Sequence, residues 1–221
     1  MLPVYSIHFG DLTFIGVGAL VTILLSLGTM LISLPVALVV GLIRSIPRPN
    51  LLVVGLQYFF NVIISIFRGT PLMAQLIFLF FGLPMMGVEM SSITTAFLGL
   101  SLYSVAYLAE IVRGGIDSIA VDQWEAAKSL GFNYVQTMRT VVLPQAVRIM
   151  LPPSVGFFIG LIKDSSLCAV IGFVELARSG RIVVERTGQS LLIFAIVALL
   201  YFIICYPLSS YSQRLERALK V

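Results

Sequence analysis

The sequence predicts an all-α integral membrane protein with about five transmembrane helices. Three observations lead there. Of 221 residues, 59% are hydrophobic and only 11% are charged, whereas soluble domains carry about 25% charged residues. Several apolar runs exceed the roughly 18 residues that a spanning helix needs. The basic residues flank those runs instead of clustering, so the net charge of +4 speaks for orientation in a membrane and not for nucleic acid. The whole chain, 1–221, reads as a single membrane domain.

The first span runs from Leu12 to Ile43 with no charge until Arg44. At 1.5 Å per residue it would be about 48 Å long, so it must tilt, kink or project, and Pro35 is the natural kink site. A second apolar region, Leu51 to Val88, is broken by Arg68-Gly69-Thr70-Pro71. Then follow Ser91 to Val112, Val147 to Gly172, and Ser190 to Tyr211. Leu51 to Phe67 either spans, making six helices, or lies at the interface before a short span from Pro71 to Leu83, making five.

Basic residues favour five, with the N-terminus outside and the C-terminus inside. Residues 1–13 carry no Lys or Arg. Arg44, Arg48, Arg68, Lys128, Arg139, Arg214, Arg217 and Lys220 then all fall in the cytoplasm. The cost is an outer loop with Arg178, Arg181 and Arg186, offset by Glu175 and Glu185. The N-terminus lacks the basic region of a cleaved signal, and its apolar run is too long for one. Cys168 and Cys205 fall inside spans and read as small packing residues, not as a disulfide.

Between the third and fourth spans lies a polar island, about residues 117–145. It reads as two short helices. Asp122 is placed to cap the first, with Glu125 three residues later as its reciprocal partner. Gly131 is the natural left-handed residue past its end. A two-turn helix is not stable alone in water and must be held by packing. Ala126, Ala127 and Leu130 supply a small apolar face at i,i+3 and i,i+4 spacing. Asn133 caps a second helix ending near Pro144. Such a loop either docks into a partner or lies on the lipid surface.

Polar residues also sit within the spans. Lys163-Asp164-Ser165-Ser166 lies deep in the fourth, where each ionisable group costs about 2.5–3.5 kcal/mol on insertion scales. These groups therefore face a substrate path or pair with each other. Tyr103, Tyr107 and Glu110 share one face of the third span; the tyrosines line that path or pack against neighbours, and Glu110 pairs with Arg113. Gly156 and Gly160 have the spacing of a helix contact, and Pro152-Pro153 would bend the fourth span. Arg68 is expected to snorkel to the interface, where Gln57 and Asn61 also belong. His8, the only histidine, has nothing beside it for a metal site or triad. No catalytic residue, metal or resident cofactor is expected. Asp117 and Asp122 read as turn and cap residues.

The residues Glu125-Ala126-Ala127, three more, Gly131, nine more, then Val141, one residue and Leu143-Pro144 form a pattern that resembles the EAA loop of ABC importer permeases. Val141 stands where that family more often has Ile. Further segments resemble the polar amino acid subgroup: Phe67-Arg68-Gly69-Thr70-Pro71-Leu72 with Gln75, Ala106 to Gly115, and Leu161 to Leu167 leading into Val170-Ile171-Gly172. The likeness covers about residues 10–215.

The resemblance implies a multi-pass subunit of the bacterial cytoplasmic (inner) membrane that imports a polar amino acid. It implies a five-helix core and an extracytoplasmic binding protein. It also implies a second permease subunit, identical or related, over two ATPase subunits. Glu125, Ala126, Ala127, Leu130 and Gly131 would couple to the ATPase. Asp164, Ser165, Ser166, Lys163, Tyr103 and Tyr107 would meet substrate. The chain itself is expected to be no enzyme. Its lysines, Lys128, Lys163 and Lys220, do not fit a phosphate-binding loop, so ATP and magnesium would be held by the partner. The rival readings are an ion-coupled transporter using Lys163 and Asp164, and a scaffold with no path of its own.

Overall fold

The computed structural model describes residues 6–47 and 50–219, so Arg48 and Lys220, both used above for orientation, lie outside the described residues. Nine α-helices carry the described chain: α1 (Phe9–Ser45), α2 (Leu51–Gly69), α3 (Leu72–Ile77), α4 (Ser92–Asp117), α5 (Val121–Ser129), α6 (Tyr134–Thr137), α7 (Leu143–Asp164), α8 (Leu176–Thr187) and α9 (Ser190–Leu219). Among the described residues five stretches are long and apolar enough to cross a membrane: Phe9–Ser45, Leu51–Gly69, Ser92–Asp117, Tyr134–Ile171 and Ser190–Leu219.

The bundle is built on α1 against α4. A stripe of small residues on α1, Gly18, Thr22, Ser26, Thr29, Ser33, Ala37 and Gly41, is buried at spacings of three or four residues; its start faces Glu175, Leu176 and Ser179 of the α8 region and its end faces α4. Small residues let two membrane helices approach closely where water supplies no driving force between them. The approach is tight: a Cβ at Gly41 would lie 2.5 Å from Val112 Cγ1 and 3.1 Å from the Ala109 carbonyl. The Ser33 hydroxyl donates across the interface to the Ser101 carbonyl at 3.2 Å. Pro35 lies inside α1, which continues unbroken past it.

The α2 region departs from expectation. Leu51 to Gly69 is not a helix lying apart at the interface. Its Gln57 amide donates to the Ile43 and Ile46 carbonyls at the end of α1, and Ile64 packs with Ala37, Val40 and Ala109. After the break, Leu76 packs with Ala96 and Leu100, further along α4. Together α2 and α3 climb antiparallel to α1 as one crossing in two pieces. Gln75 closes the break: its amide donates to the Phe67 carbonyl at 2.8 Å and the Thr70 carbonyl at 3.1 Å. These are acceptors that the helix cannot satisfy itself, since Pro71 has no N–H. After α3 the chain passes through a wide turn, Phe78–Gly82, and a 3-10 turn, Leu83–Met86.

Two ends of the bundle result. One carries the C-termini of α1, α4 and α9 and the α5–α6 lug. The other carries the start of α1, the 3-10 turn Ser165–Ile171 and α8. At that second end Glu175 is fully buried. It caps α8 by accepting from the Ala177 and Arg178 amides, each at 2.8 Å, and takes the Tyr201 hydroxyl at 3.0 Å. Of the arginines noted there, Arg181 pairs with Glu185, and Arg186 pairs with Asp11 at the start of α1. Cys168 and Cys205 are free and buried, as read from their positions.

Candidate functional site

The lug begins where Ile119 packs against Val112, Ile116 and Met138. That packing starts α5 two residues earlier than its sequence suggests. The N-cap is Ala120, with no side-chain cap, and Asp122 lies in the first turn. Its carboxylate still favours the positive end of the helix dipole there. The far end behaves as expected. Gly131 takes φ +81, Phe132 N–H donates to the Ala127 carbonyl at 3.1 Å, and Gly131 N–H donates to Lys128 at 2.9 Å. This paired reverse turn stops the helix.

The apolar face divides. Ala127 is buried against the bundle, whereas Ala126 and Glu125 are exposed, and Leu130 is 75% exposed. Exposed leucine beside alanine on a two-turn helix is a contact surface with nothing on it within this chain. The lug is nonetheless held firmly. Trp124 stacks on Tyr134 at 6.0 Å between centroids, and the Tyr134 hydroxyl donates to the Ser45 carbonyl at the end of α1. A push on α5 therefore reaches both α1 and α4.

Asn133 caps α6 as expected, with reciprocal 2.9 Å bonds to Gln136. The helix does not end near Pro144, however. It passes through a wide turn, Met138–Val142, into α7. That turn widens the ladder where Pro144 has no donor to give, so the proline starts α7 instead of stopping the helix.

The polar residues of the spans separate into two groups. On one side, Tyr103 and Tyr107 stand with centroids 4.6 Å apart, flanked by Phe157 at 6.1 and 5.8 Å. Asp164 lies within electrostatic reach of Tyr103. On the other side, Lys163 and Ser166 line a cleft of about 610 Å³ between α7 and α9, with Tyr201, Tyr206 and Ser209. Ser165 belongs to neither: it is fully buried, and its hydroxyl donates to the Ile162 carbonyl. Lys163 and Asp164 make no ion pair within 4 Å among the described residues, because adjacent helical positions point about 100° apart. Gly156 and Gly160 meet no helix among the described residues of this chain: a Cβ at either would find nothing within 4 Å.

Sequence reasoning missed the charge cluster below this path. Glu110 does pair with Arg113, at 2.5 Å, but also accepts from Arg44 at 2.8 Å and lies 3.4 Å from Arg68. Arg113 reaches on to Asp117, and Arg44 Nε donates to Asn61 at 2.7 Å. Arg68 thus does not snorkel outward; it turns in over the Tyr107 ring, 5.4 Å from its centroid. Asn61 joins the cluster by accepting from Arg44, whereas Gln57 instead holds the end of α1 through the Ile43 and Ile46 carbonyls. The local signals were the i,i+3 spacing of Glu110 and Arg113 and the i,i+4 spacing of Arg113 and Asp117; Arg44, Arg68 and Asn61 come from distant sequence.

A broken-helix membrane bundle, a lug tied to α1 and α4, and polar side chains within the spans fit a membrane transport subunit. The chain matches the family described as "Binding-protein-dependent transport system inner membrane component" over residues 34–221 and belongs to it. It is an integral protein of the bacterial inner membrane, a permease subunit and not itself an enzyme; the ATPase of such systems is a separate chain.

It is 41% identical over 179 residues to the probable amino-acid ABC transporter permease protein YckA of Bacillus subtilis (strain 168), covering 81% of this chain and 79% of that one. To the probable glutamine ABC transporter permease protein GlnP of the same organism it is 36% identical over 208 residues, 93% of each. A crystal structure of an amino acid ABC transporter with histidines has the same fold, at TM-score 0.86 and 29% identity, over 97% of this chain and 100% of that one.

Proposed function

We propose that this chain is the permease subunit of an ABC importer for a polar amino acid, with the lug facing the cytoplasm and α5 as the helix that docks into the ATPase. The family membership and the amino-acid permeases among its relatives support the import of amino acids. Basic side chains support the orientation. Arg44, Arg113, Lys128, Arg139, Arg148, Arg214 and Arg217 gather at the lug end, whereas acidic residues outnumber basic ones at the other. The single observation that carries the docking role is the exposed Glu125, Ala126 and Leu130 edge on a helix otherwise locked to α1 and α4.

In this mechanism two ATPase subunits close on ATP and magnesium, which they alone bind. Their movement is transmitted through α5, Trp124 and Tyr134 to the spans. Access to the face lined by Tyr103, Tyr107 and Asp164 then alternates between the two sides. A second permease subunit closes that face, and an extracytoplasmic binding protein delivers substrate at the α8 end. Lys163 and Ser166 form the neighbouring α7–α9 cleft on the way.

Reconstituted vesicles test the reading. Uptake of a polar amino acid should require ATP, an ATPase partner and a binding protein together. Uptake by this chain alone on a proton or sodium gradient would refute it. Ion coupling through a Lys163–Asp164 pair finds no observation in its favour.

A further inference from the structure

The cluster around Glu110 does not balance. Three guanidinium groups, Arg44, Arg68 and Arg113, share two carboxylates, Glu110 and Asp117. Arg44 is 8% exposed and takes one Glu110 oxygen at 2.8 Å; Arg113 takes the other. Arg68 is left with a 3.4 Å contact to an oxygen already engaged, and its side chain is 41% exposed. An unbalanced cation in a membrane bundle calls for an anion. On the far side of the tyrosine pair stands the opposite case. Asp164 has no cation within 4 Å among the described residues.

Between them the wall is aromatic and bare. Tyr107 lies under Arg68, Tyr103 follows at 4.6 Å, and Phe157 backs both. Gly160, one turn before Asp164 on α7, leaves space where a side chain would stand. A cation beside Tyr107, a carboxylate beyond Tyr103 and the partly exposed aromatic rings between them complement a molecule bearing both charges.

We propose that Arg68 is the carboxylate anchor of the transport path, binding the α-carboxylate of the substrate while Asp164 receives its cationic group. This rests on the amino acid importer reading above and adds to it a specific recognition element. A guanidinium fork suits a carboxylate because two parallel N–H donors meet two oxygens, a geometry that lysine cannot reproduce. The contact to Glu110 holds the fork in place without neutralising it.

The test uses the permease–ATPase complex purified in detergent, without the binding protein, so that only the membrane path selects. Equilibrium dialysis compares radiolabelled L-glutamine and L-arginine, each against its α-carboxamide. The wild-type complex should prefer the free carboxylate by about tenfold or more. Arg68→Gln should bring that ratio near unity by weakening the free carboxylate far more than the carboxamide. Should Arg68→Gln fail to assemble, Arg68→Lys decides, with the ratio expected to fall part way.

An unchanged ratio, or equal loss of both ligands, overturns the anchor; either result also fits an Arg68 that serves a lipid phosphate or only the fold. ATP-driven uptake by wild-type vesicles supplied with the binding protein is measured in parallel. If uptake is present but none of the pairs is discriminated, the anchor alone falls. If uptake is absent, the importer reading falls with it.

Discussion

Gly131 is where backbone geometry and function meet most directly. Its φ of +81 ends α5 and aims the Leu130 side chain outward. A Cβ there would meet nothing within 4 Å, so a substitution acts through conformation and not through a clash inside this chain. Any residue with a Cβ costs about 1–2 kcal/mol in the left-handed region, with β-branched valine at the upper end and asparagine lowest. Since α5 has nine residues and cannot persist without its end turn, that cost falls on the lug alone. One to two kcal/mol corresponds to about a 5- to 30-fold loss in the population of the docked geometry.

Gly131→Val should therefore insert and assemble normally but lose at least about fivefold in amino acid carried per ATP hydrolysed. Gly131→Asn should stay near wild type. The assay is uptake and phosphate release measured together in reconstituted vesicles. Normal coupling in the valine variant would refute the argument. Equal failure of valine and asparagine would refute it as well, because it would mean that a partner reads the missing side chain and not the turn.

Other consequences follow from the packing and the charges. Glu110→Gln strips the nearly buried Arg44 of its counter-ion and should cost about 2–4 kcal/mol, discounted for the partial exposure of Glu110. Asp117→Asn, at the exposed edge of the same cluster, should cost about 0–1 kcal/mol; thermal unfolding in detergent ranks the two. Gly41→Ala forces a methyl into Val112 at 2.5 Å and should destabilise by about 1–3 kcal/mol in the same assay. Burial pushes the Glu175 carboxyl above its ordinary range, its hydrogen bonds opposing that only in part. A raised folded-state value means that its contribution to stability is full below the ordinary glutamate range and is lost as pH rises through the folded-state value. Melting temperature should decline over that window in the wild type, and Glu175→Gln should flatten the decline.

The parts legible in the sequence were those set by local chemistry. Apolar runs marked the spans, Gly131 and Asn133 marked the ends of the lug helices, and three-residue spacing paired Glu110 with Arg113. What escaped depended on distant partners. The small-residue face of α1 acquires meaning only against α4 and α8, since serine, threonine and glycine at helical spacing read as ordinary polar breaks until a second helix is in place. A segment such as Leu51–Gly69 carries the same pattern whether it lies flat or climbs, and the Gln57 and Ile64 contacts decide it. Arg68 looked like a snorkelling residue because its partners, Glu110 and Tyr107, are about 40 positions away. The Lys-Asp-Ser-Ser run looked like one site; helical geometry turned Lys163 and Ser166 toward α9, Asp164 toward Tyr103 and Ser165 into the core.

The central claim is that α5 lies on the cytoplasmic side and meets an ATPase there. Cys168 and Cys205 are both buried, so the native thiols stay silent and Glu125→Cys can be labelled with a membrane-impermeant maleimide. The account predicts labelling in inside-out vesicles only, and protection when the ATPase subunit is bound. Labelling in right-side-out vesicles, or no protection by the ATPase, would contradict it.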